Sequence, residues 1–211
     1  ELYNSGSTAI NLGDYTVTLM NGNNNTLYDS IALPQQSLNP GDYFVICSGY
    51  GKTPNCDMVK TNAPATGWIQ NGSPDAIGIR DNSNGTLVDA VSYEGSCLAP
   101  YVNGTGLPLA NSDTAQSDSI GGRYLSISRY PDGNDSNNDS LDWNRVCATP
   151  GYANTNANSN CPAASRCPTP PSRQRPAPIT NSVNWIADAY DSIDHLMQSA
   201  YASDSPLNID L

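Results

Sequence analysis

The sequence Tyr15-Thr16-Val17-Thr18-Leu19, followed closely by Asn21-Gly22-Asn23-Asn24-Asn25, decides the class of fold. In the first stretch apolar and polar residues alternate, which is typical of a β-strand with one buried face. Glycine and asparagine tolerate the positive φ angles of tight turns, so the second stretch predicts a chain reversal. Residues 27–33 then supply a returning strand. The whole segment is therefore a predicted β-hairpin.

Further short strands follow at similar spacing. Residues 42–47 are apolar enough to be buried on both faces. Residues 76–80 and 86–93 flank the turn sequence Asp81-Asn82-Ser83-Asn84-Gly85 and predict another hairpin. Residues 124–129 form the last clear strand of the domain. About seven short strands at this spacing predict an all-β, immunoglobulin-like β-sandwich.

Composition and charge exclude several classes of function. The chain has 211 residues and a formal net charge of -11, with nine Lys plus Arg, so no nucleic-acid-binding surface is expected. No apolar run approaches the roughly 20 residues that span a bilayer, so no membrane span is expected. The length fits one domain of about 150 residues plus an extension.

All six cysteines are predicted to form disulfides in an oxidising, extracellular setting. They are Cys47, Cys56, Cys97, Cys147, Cys161 and Cys167. The pairing stays open from sequence alone, but short loop closure favours Cys47–Cys56 and Cys161–Cys167, which leaves Cys97–Cys147. Because no C-x-x-C pair occurs and the chain has one His, no zinc site is expected.

Several of these segments resemble lamin tail domains when they are read in order. The opening Glu1-Leu2-Tyr3-Asn4-Ser5-Gly6 is similar to the "EL-x-N-x-G" start of that family, and Leu38-Asn39-Pro40-Gly41-Asp42-Tyr43 matches a later motif. So does the stretch from Ser128-Arg129-Tyr130-Pro131-Asp132-Gly133 through Trp143 to Thr149-Pro150-Gly151. The resemblance covers about residues 1–152. It implies an immunoglobulin-like sandwich that serves as a binding or accessory module without catalytic residues, and the cysteines favour the secreted branch.

One departure from this family concerns the start of the domain. Its members normally carry another strand, of the type "I-N-E-I", upstream of the "EL-x-N" segment, and this strand is absent here. The sandwich over residues 1–152 is therefore expected to lack its first strand.

Two segments follow the sandwich. Residues 153–181 are rich in Pro, Asn and Ser and predict a linker with polyproline II character. Residues 182–211 predict an amphipathic helix and a terminal strand. The helix carries an apolar stripe at helical spacing that needs something to pack against. Its members include Ile186, Tyr190, Ile193 and Met197.

The terminal strand is the main functional candidate. Leu207, Ile209 and Leu211 alternate with polar residues and have the period to fill core pockets beside residues 1–4. Pairing within one chain would close a monomer, whereas pairing with the next copy would repeat head to tail as a filament. The plain alternative is a frayed tail without consequence.

Six Asn-x-Ser/Thr acceptor patterns lie on predicted loops and predict covalently attached glycans. Their number barely exceeds chance, so their placement on turns is the stronger indication. The acceptors are Asn24, Asn71, Asn84, Asn103, Asn134 and Asn138.

The acidic loop of residues 132–142 is a weak candidate for Ca²⁺, through Asp132, Asp135 and Asp139. It lacks the EF-hand spacing, and a solvated loop is the simpler interpretation. No nucleophile, metalloprotease or phosphate-binding motif occurs, and His195 is the only His. The sequence predicts no catalytic residue and no other cofactor.

These observations lead to one functional hypothesis and two alternatives. The chain is predicted to be the structural subunit of an extracellular, glycosylated filament that assembles with itself, head to tail. The first alternative is an accessory or adhesive binding module of a larger secreted protein, for example a nuclease or other hydrolase, with the strand in cis. The second is a calcium-dependent binding module.

Overall fold

The structure, a computed structural model, describes residues 1–48, 53–61, 68–70, 74–95, 97–102, 105–108, 125–136, 138–156, 161 and 208–209. Within these ranges nearly all regular structure is β, with a 3₁₀ turn at Leu12–Asp14 and one short helix, α1, at Asp139–Asp142. The strands are β1 Leu2–Tyr3, β2 Ile10–Asn11, β3 Tyr15–Asn21, β4 Thr26–Ala32, β5 Ser37–Leu38, β6 Tyr43–Phe44, β7 Ile46–Ser48, β8 Met58–Lys60, β9 Asp75–Asp81, β10 Leu87–Tyr93, β11 Leu98–Val102, β12 Thr105–Pro108, β13 Leu125–Arg129, β14 Trp143–Cys147 and β15 Asn208–Ile209.

A four-stranded antiparallel sheet, in the order β10-β9-β3-β4, forms the centre of the fold. Both predicted hairpins are confirmed, as β3–β4 and β9–β10. In the β3–β9 ladder Asn21 lies opposite Asp75 and Tyr15 opposite Asp81. Consequently the turns of the two hairpins lie at opposite ends of the sheet.

Both faces of this central sheet carry buried residues. One face contributes Val17, Leu19, Ile77 and Ile79 to the main core, which also includes side chains from β1, β6, β13 and β14. The other face carries a second cluster formed by Met20, Ala76, Ala90 and Cys97. Each large apolar side chain that is fully buried contributes about 1.5–3 kcal/mol, so the central sheet accounts for much of the stability.

The remaining strands form smaller sheets around the central one. These are β15-β1-β6, β11-β12, β13-β14 and β2-β5, all antiparallel, and the parallel pair β7-β8. The arrangement is the predicted all-β class and is consistent with an immunoglobulin-like sandwich. No helix among the described residues is long and apolar enough to cross a membrane.

Two predictions about single strands are wrong. Residues 42–47 are divided between β6 and β7, because the chain leaves the ladder at Val45. There the Val45 N–H donates to Asp57 Oδ2 at 2.9 Å, and its carbonyl accepts from the N–H groups of Asp57 and Met58. Nor is β13 the last strand of the domain, since β14 pairs with it over its whole length.

The disulfide pairing is confirmed for Cys47–Cys56 and wrong for the rest. Cys147 bonds to Cys161, with their Cα atoms 5.1 Å apart, which contradicts both Cys161–Cys167 and Cys97–Cys147. The physical reason is a turn after β14, in which the Tyr152 N–H donates to the Thr149 carbonyl and helps to direct the chain back toward Cys147. Cys97 is a free thiol buried in the second cluster.

Several predictions fall outside the described residues and stay predictions. These are the helix of residues 183–202 with its stripe Ile186, Tyr190, Ile193 and Met197, most of the linker, the acceptors Asn71 and Asn103, Cys167, and the outer members Leu207 and Leu211 of the terminal strand. The domain boundary after residue 152 also stays a prediction.

Candidate assembly site

The described end of the chain pairs with its beginning. Strand β15 lies antiparallel to β1, with Ile209 opposite Leu2 and Asn208 opposite Tyr3. On its other side β1 pairs with β6, where Leu2 lies opposite Phe44 and Tyr3 opposite Tyr43. Strand β15 also lies close to β10, at one edge of the central sheet. Thus β15 occupies the edge of β1 that β6 leaves open.

The register defines two rows of residues across this small sheet. In the inner row Leu2 and Phe44 are each 1% exposed and belong to the main core. In the outer row the rings of Tyr3 and Tyr43 lie with their centroids 4.9 Å apart, tilted by 34°. Because neighbours across a strand pair share a face, Ile209 is in register with the core row and Asn208 with the tyrosine row.

Glu1 fixes the start of β1. Its carboxylate accepts a hydrogen bond from the N–H of Gly151, in the turn that follows β14. The side chain is buried, and burial raises the pKa of the Glu1 carboxyl to about 8. The contact joins two segments that are 150 residues apart in the sequence.

Asn4 fixes the end of β1. Its Nδ2 donates to the carbonyls of Thr8 and Leu38, both at 2.9 Å, and its Oδ1 accepts from the N–H of Gly6 at 2.9 Å. The backbone of Asn4 exchanges hydrogen bonds with the turn before β6, from its N–H to the Asp42 carbonyl and from the Gly41 N–H to its own carbonyl. Strand β1 is therefore anchored at both ends and presents a fixed edge.

The loop after β13 packs against the outer row. Gly133 has a φ of +70°, and a Cβ at this position would lie 3.2 Å from Cε1 of Tyr3. A side chain would meet both a strained backbone and the tyrosine ring. The glycine at this position thus lets the loop approach β1 closely.

Sequence reasoning found part of this site and missed part. It placed the acceptor beside residues 1–4 and named Ile209, and the structure brings these together. It did not anticipate that β6 is the second partner of β1 or that Glu1 contacts Gly151. The signal for both was present, since the motifs beginning at Leu38 and ending at Gly151 contain these partners.

The acidic loop has a structural organisation that does not fit a calcium site. The carboxylate of Asp142 accepts four hydrogen bonds, from Asn134 Nδ2, the Ser136 N–H, Ser136 Oγ and the Asn138 N–H. It thereby ties the loop together with protein donors. The three candidate ligands for Ca²⁺ are directed elsewhere.

Each of these three carboxylates faces a different protein group. Asp132 accepts from the Asn154 N–H at 2.9 Å, Asp139 accepts from the Ser92 N–H at 3.3 Å, and Asp135 lies 3.9 Å from Nη2 of Arg129. Within the described ranges no group of three His, Cys, Asp or Glu side chains is placed to hold a metal ion.

Of the predicted glycan acceptors, four lie among the described residues. Asn24 and Asn84 are exposed and lie in the turns of the β3–β4 and β9–β10 hairpins. Asn134 and Asn138 lie in the acidic loop, where Asn138 caps helix α1.

Comparison with known proteins gives one match. Residues 1–95 match the family model described as Lamin Tail Domain. The predicted resemblance to this family is confirmed there, whereas its extension to about residue 152 stays a prediction. No curated protein and no solved structure matches the chain.

Proposed function

We propose that the chain is a structural protein rather than an enzyme, a proposal supported by the match of residues 1–95 to the lamin tail domain, a family without catalytic residues. In this proposal it is the subunit of an extracellular filament, and the C-terminal strand of one copy completes the β1 edge of the next. The observation that carries the proposal is the pairing of β15 with β1.

The β1 edge is well suited to accept a strand. An open edge exposes backbone N–H and C=O groups and invites pairing with another chain. Here β1 is held at both ends, by Glu1 and Asn4. The acceptor edge therefore loses little conformational entropy when a strand is added. Leu2 and Phe44 form a buried row, so an apolar donor residue opposite Leu2 would stabilise the contact.

The sequence between Cys161 and Asn208 supports pairing with a neighbour. Its proline-rich part, residues 162–181, follows the Cys147–Cys161 disulfide and could extend by roughly 60 Å at about 3.1 Å per residue. Such a reach includes the β1 edge of a second copy. A donor at one end and an acceptor at the other make the contact heterologous, and a heterologous contact that does not close into a ring gives a filament.

An extracellular location is supported by the two disulfides, Cys47–Cys56 and Cys147–Cys161. Disulfides persist in oxidising compartments and are rare in the cytosol. The glycan acceptors at exposed hairpin turns are consistent with the same location.

A second candidate function has a specific observation in its favour. In the structure β15 and β1 belong to the same chain, which is the arrangement of a closed monomer. The protein would then be an accessory or adhesive binding module of a larger secreted protein, with its terminal strand in cis.

Electron microscopy of the purified protein separates the two functions. We expect filaments from the parent chain and compact particles from Ile209→Asp, which sets a charge opposite the buried Leu2. Asn208→Asp is the matched control, since its opposite residue Tyr3 is only half-buried, and it should still assemble. Monodisperse parent particles at all concentrations would favour the closed module, whereas filaments from Ile209→Asp would show that the C-terminal strand is not the assembly contact.

A further inference from the structure

The glycan acceptors at the two hairpin turns of the central sheet have the same local geometry. Oδ1 of Asn24 accepts hydrogen bonds from the N–H of Thr26 at 3.1 Å and from Thr26 Oγ1 at 2.5 Å. Oδ1 of Asn84 accepts from the N–H of Thr86 at 2.8 Å and from Thr86 Oγ1 at 2.7 Å. All four residues are exposed. Because a carboxamide is planar, an Oδ1 turned into the turn sets Nδ2 on the opposite side of Cγ.

Of the two acceptors of the acidic loop, Asn134 differs from this pair in its contacts, although it is exposed too. Nδ2 of Asn134, the atom that would carry a sugar, donates to the buried carboxylate of Asp142 at 3.2 Å. Ser136 of the same acceptor pattern also donates to Asp142 rather than to Asn134. A glycan on Asn134 would therefore disturb a contact that holds the loop. Asn138 shares the geometry of the pair, because its Oδ1 accepts from the N–H of Ser140 at 3.1 Å and from Ser140 Oγ at 2.8 Å, but it is half-buried.

We propose that Asn24 and Asn84 are sites of N-glycosylation and that Asn134 remains unmodified. The inference rests on the extracellular location in the proposed function. In the reaction, Nδ2 forms a bond to the anomeric carbon of a sugar carried on a polyprenyl diphosphate. The bond from that carbon to the diphosphate oxygen breaks, the diphosphate leaves with the electron pair, and one amide proton is lost to a base.

The placement of the two sites separates the glycans from each other and from the assembly residues. Strands β3 and β9 have seven residues each, so the two turns are about 20 Å apart along the sheet. Neither site belongs to β1, β6 or β15. Loss of a glycan therefore removes no residue of the proposed strand contact.

Glycopeptide mass spectrometry of the protein from its native source, or secreted by a glycosylating eukaryotic host, tests the proposal directly. We expect sugar on the peptides with Asn24 and Asn84, and no sugar on Asn134. Asn24→Gln and Asn84→Gln should each lower the intact mass by one glycan, while the matched Asn134→Gln should leave the attached sugar mass unchanged.

Two results would overturn the proposal: bare Asn24 and Asn84, or sugar on Asn134. Sugar found only at Asn71 or Asn103 would also count against it. Occupancy is measured on peptides and assembly by microscopy, so the failure of this inference and the failure of the filament proposal are distinguishable. The parent chain alone gives the peptide result, which does not depend on whether any variant folds.

Discussion

At Asn4 a single carboxamide satisfies three backbone groups on both sides of a turn. The side chain is 0% exposed, and its partners are the carbonyls of Thr8 and Leu38 and the N–H of Gly6. Each buried backbone group that loses its hydrogen-bond partner destabilises the folded state by about 1–3 kcal/mol. Relaxation of the structure or entry of water recovers part of this free energy. Asn4 is therefore the residue on which the geometry of the β1 edge depends most directly.

Replacing Asn4 by alanine should lower the free energy of unfolding by about 2–4 kcal/mol. The measurement is urea denaturation in the Ile209→Asp background, so that assembly does not add to stability. Asn23→Ala is the control, because Asn23 is exposed in the β3–β4 turn and should cost less than about 0.5 kcal/mol. Equal urea unfolding midpoints for the Asn4→Ala and Asn23→Ala variants would contradict the role given to Asn4.

At the scale of elements, Asp139 links α1 to the end of β10. It is buried, and its carboxylate accepts a hydrogen bond from the Ser92 N–H. Burial raises the pKa of Asp139 from 3.8 to about 7, and the hydrogen bond and Arg129 oppose this shift. Since the folded form holds the proton more tightly than the unfolded chain, Asp139 contributes stability below about pH 4. That contribution is lost as pH rises toward 7.

The stability of the Asp139→Asn variant should therefore depend less on pH than the stability of the parent. Between pH 4 and pH 7 we expect the parent to lose stability relative to the variant, by at most about 1.4 kcal/mol per pH unit. Urea midpoints measured across this range give the difference. Asp14→Asn, at an exposed position, serves as the control and should follow the parent. A parent that gains stability relative to Asp139→Asn as pH rises would contradict the sign.

The sequence predicted those elements whose pattern is local. The hairpins β3–β4 and β9–β10 follow from period-two alternation and Gly/Asn turns, and both are present. Strand β14 was missed because Trp143-Asn144-Arg145-Val146-Cys147 does not alternate cleanly. The division at Val45 depends on Asp57, which lies 12 residues away. The Cys147–Cys161 bond was missed because loop length alone does not show where a turn brings two cysteines together.

The assembly site, too, could be predicted only where its sequence pattern is local. Ile209 and the edge beside residues 1–4 were predicted from alternation and from the resemblance to a family. The contacts that hold this edge, Glu1 to Gly151 and Asn4 to Leu38, join residues distant in the sequence and have no local signature. Only the assembled fold identifies them.

For the whole molecule, the proposed head-to-tail assembly would give a filament with a direction, with an open β1 edge at one end and an unused donor at the other. A chain truncated to residues 1–204 keeps the acceptor and loses the donor. Added at a small fraction of the parent chain, it should stop growth at one end and shorten filaments in proportion to its amount. Filament lengths in electron micrographs measure this.

The matched control for this experiment is a parent chain with Asn208→Asp, which should enter filaments without shortening them. If the truncated chain leaves filament length unchanged at every ratio, the C-terminal strand is not the contact that elongates the filament.

The burial of both faces of the central sheet also has a consequence for how the molecule opens. Strands β3 and β9 are flanked on both sides by other strands, so their amide hydrogens should exchange with solvent last, through opening of most of the domain. Among the described residues, strand β15 pairs with β1 through Asn208 and Ile209 alone, so their amides should exchange early, through local opening. A strand that detaches while β3 and β9 stay protected can pass from one copy to another without unfolding either sandwich.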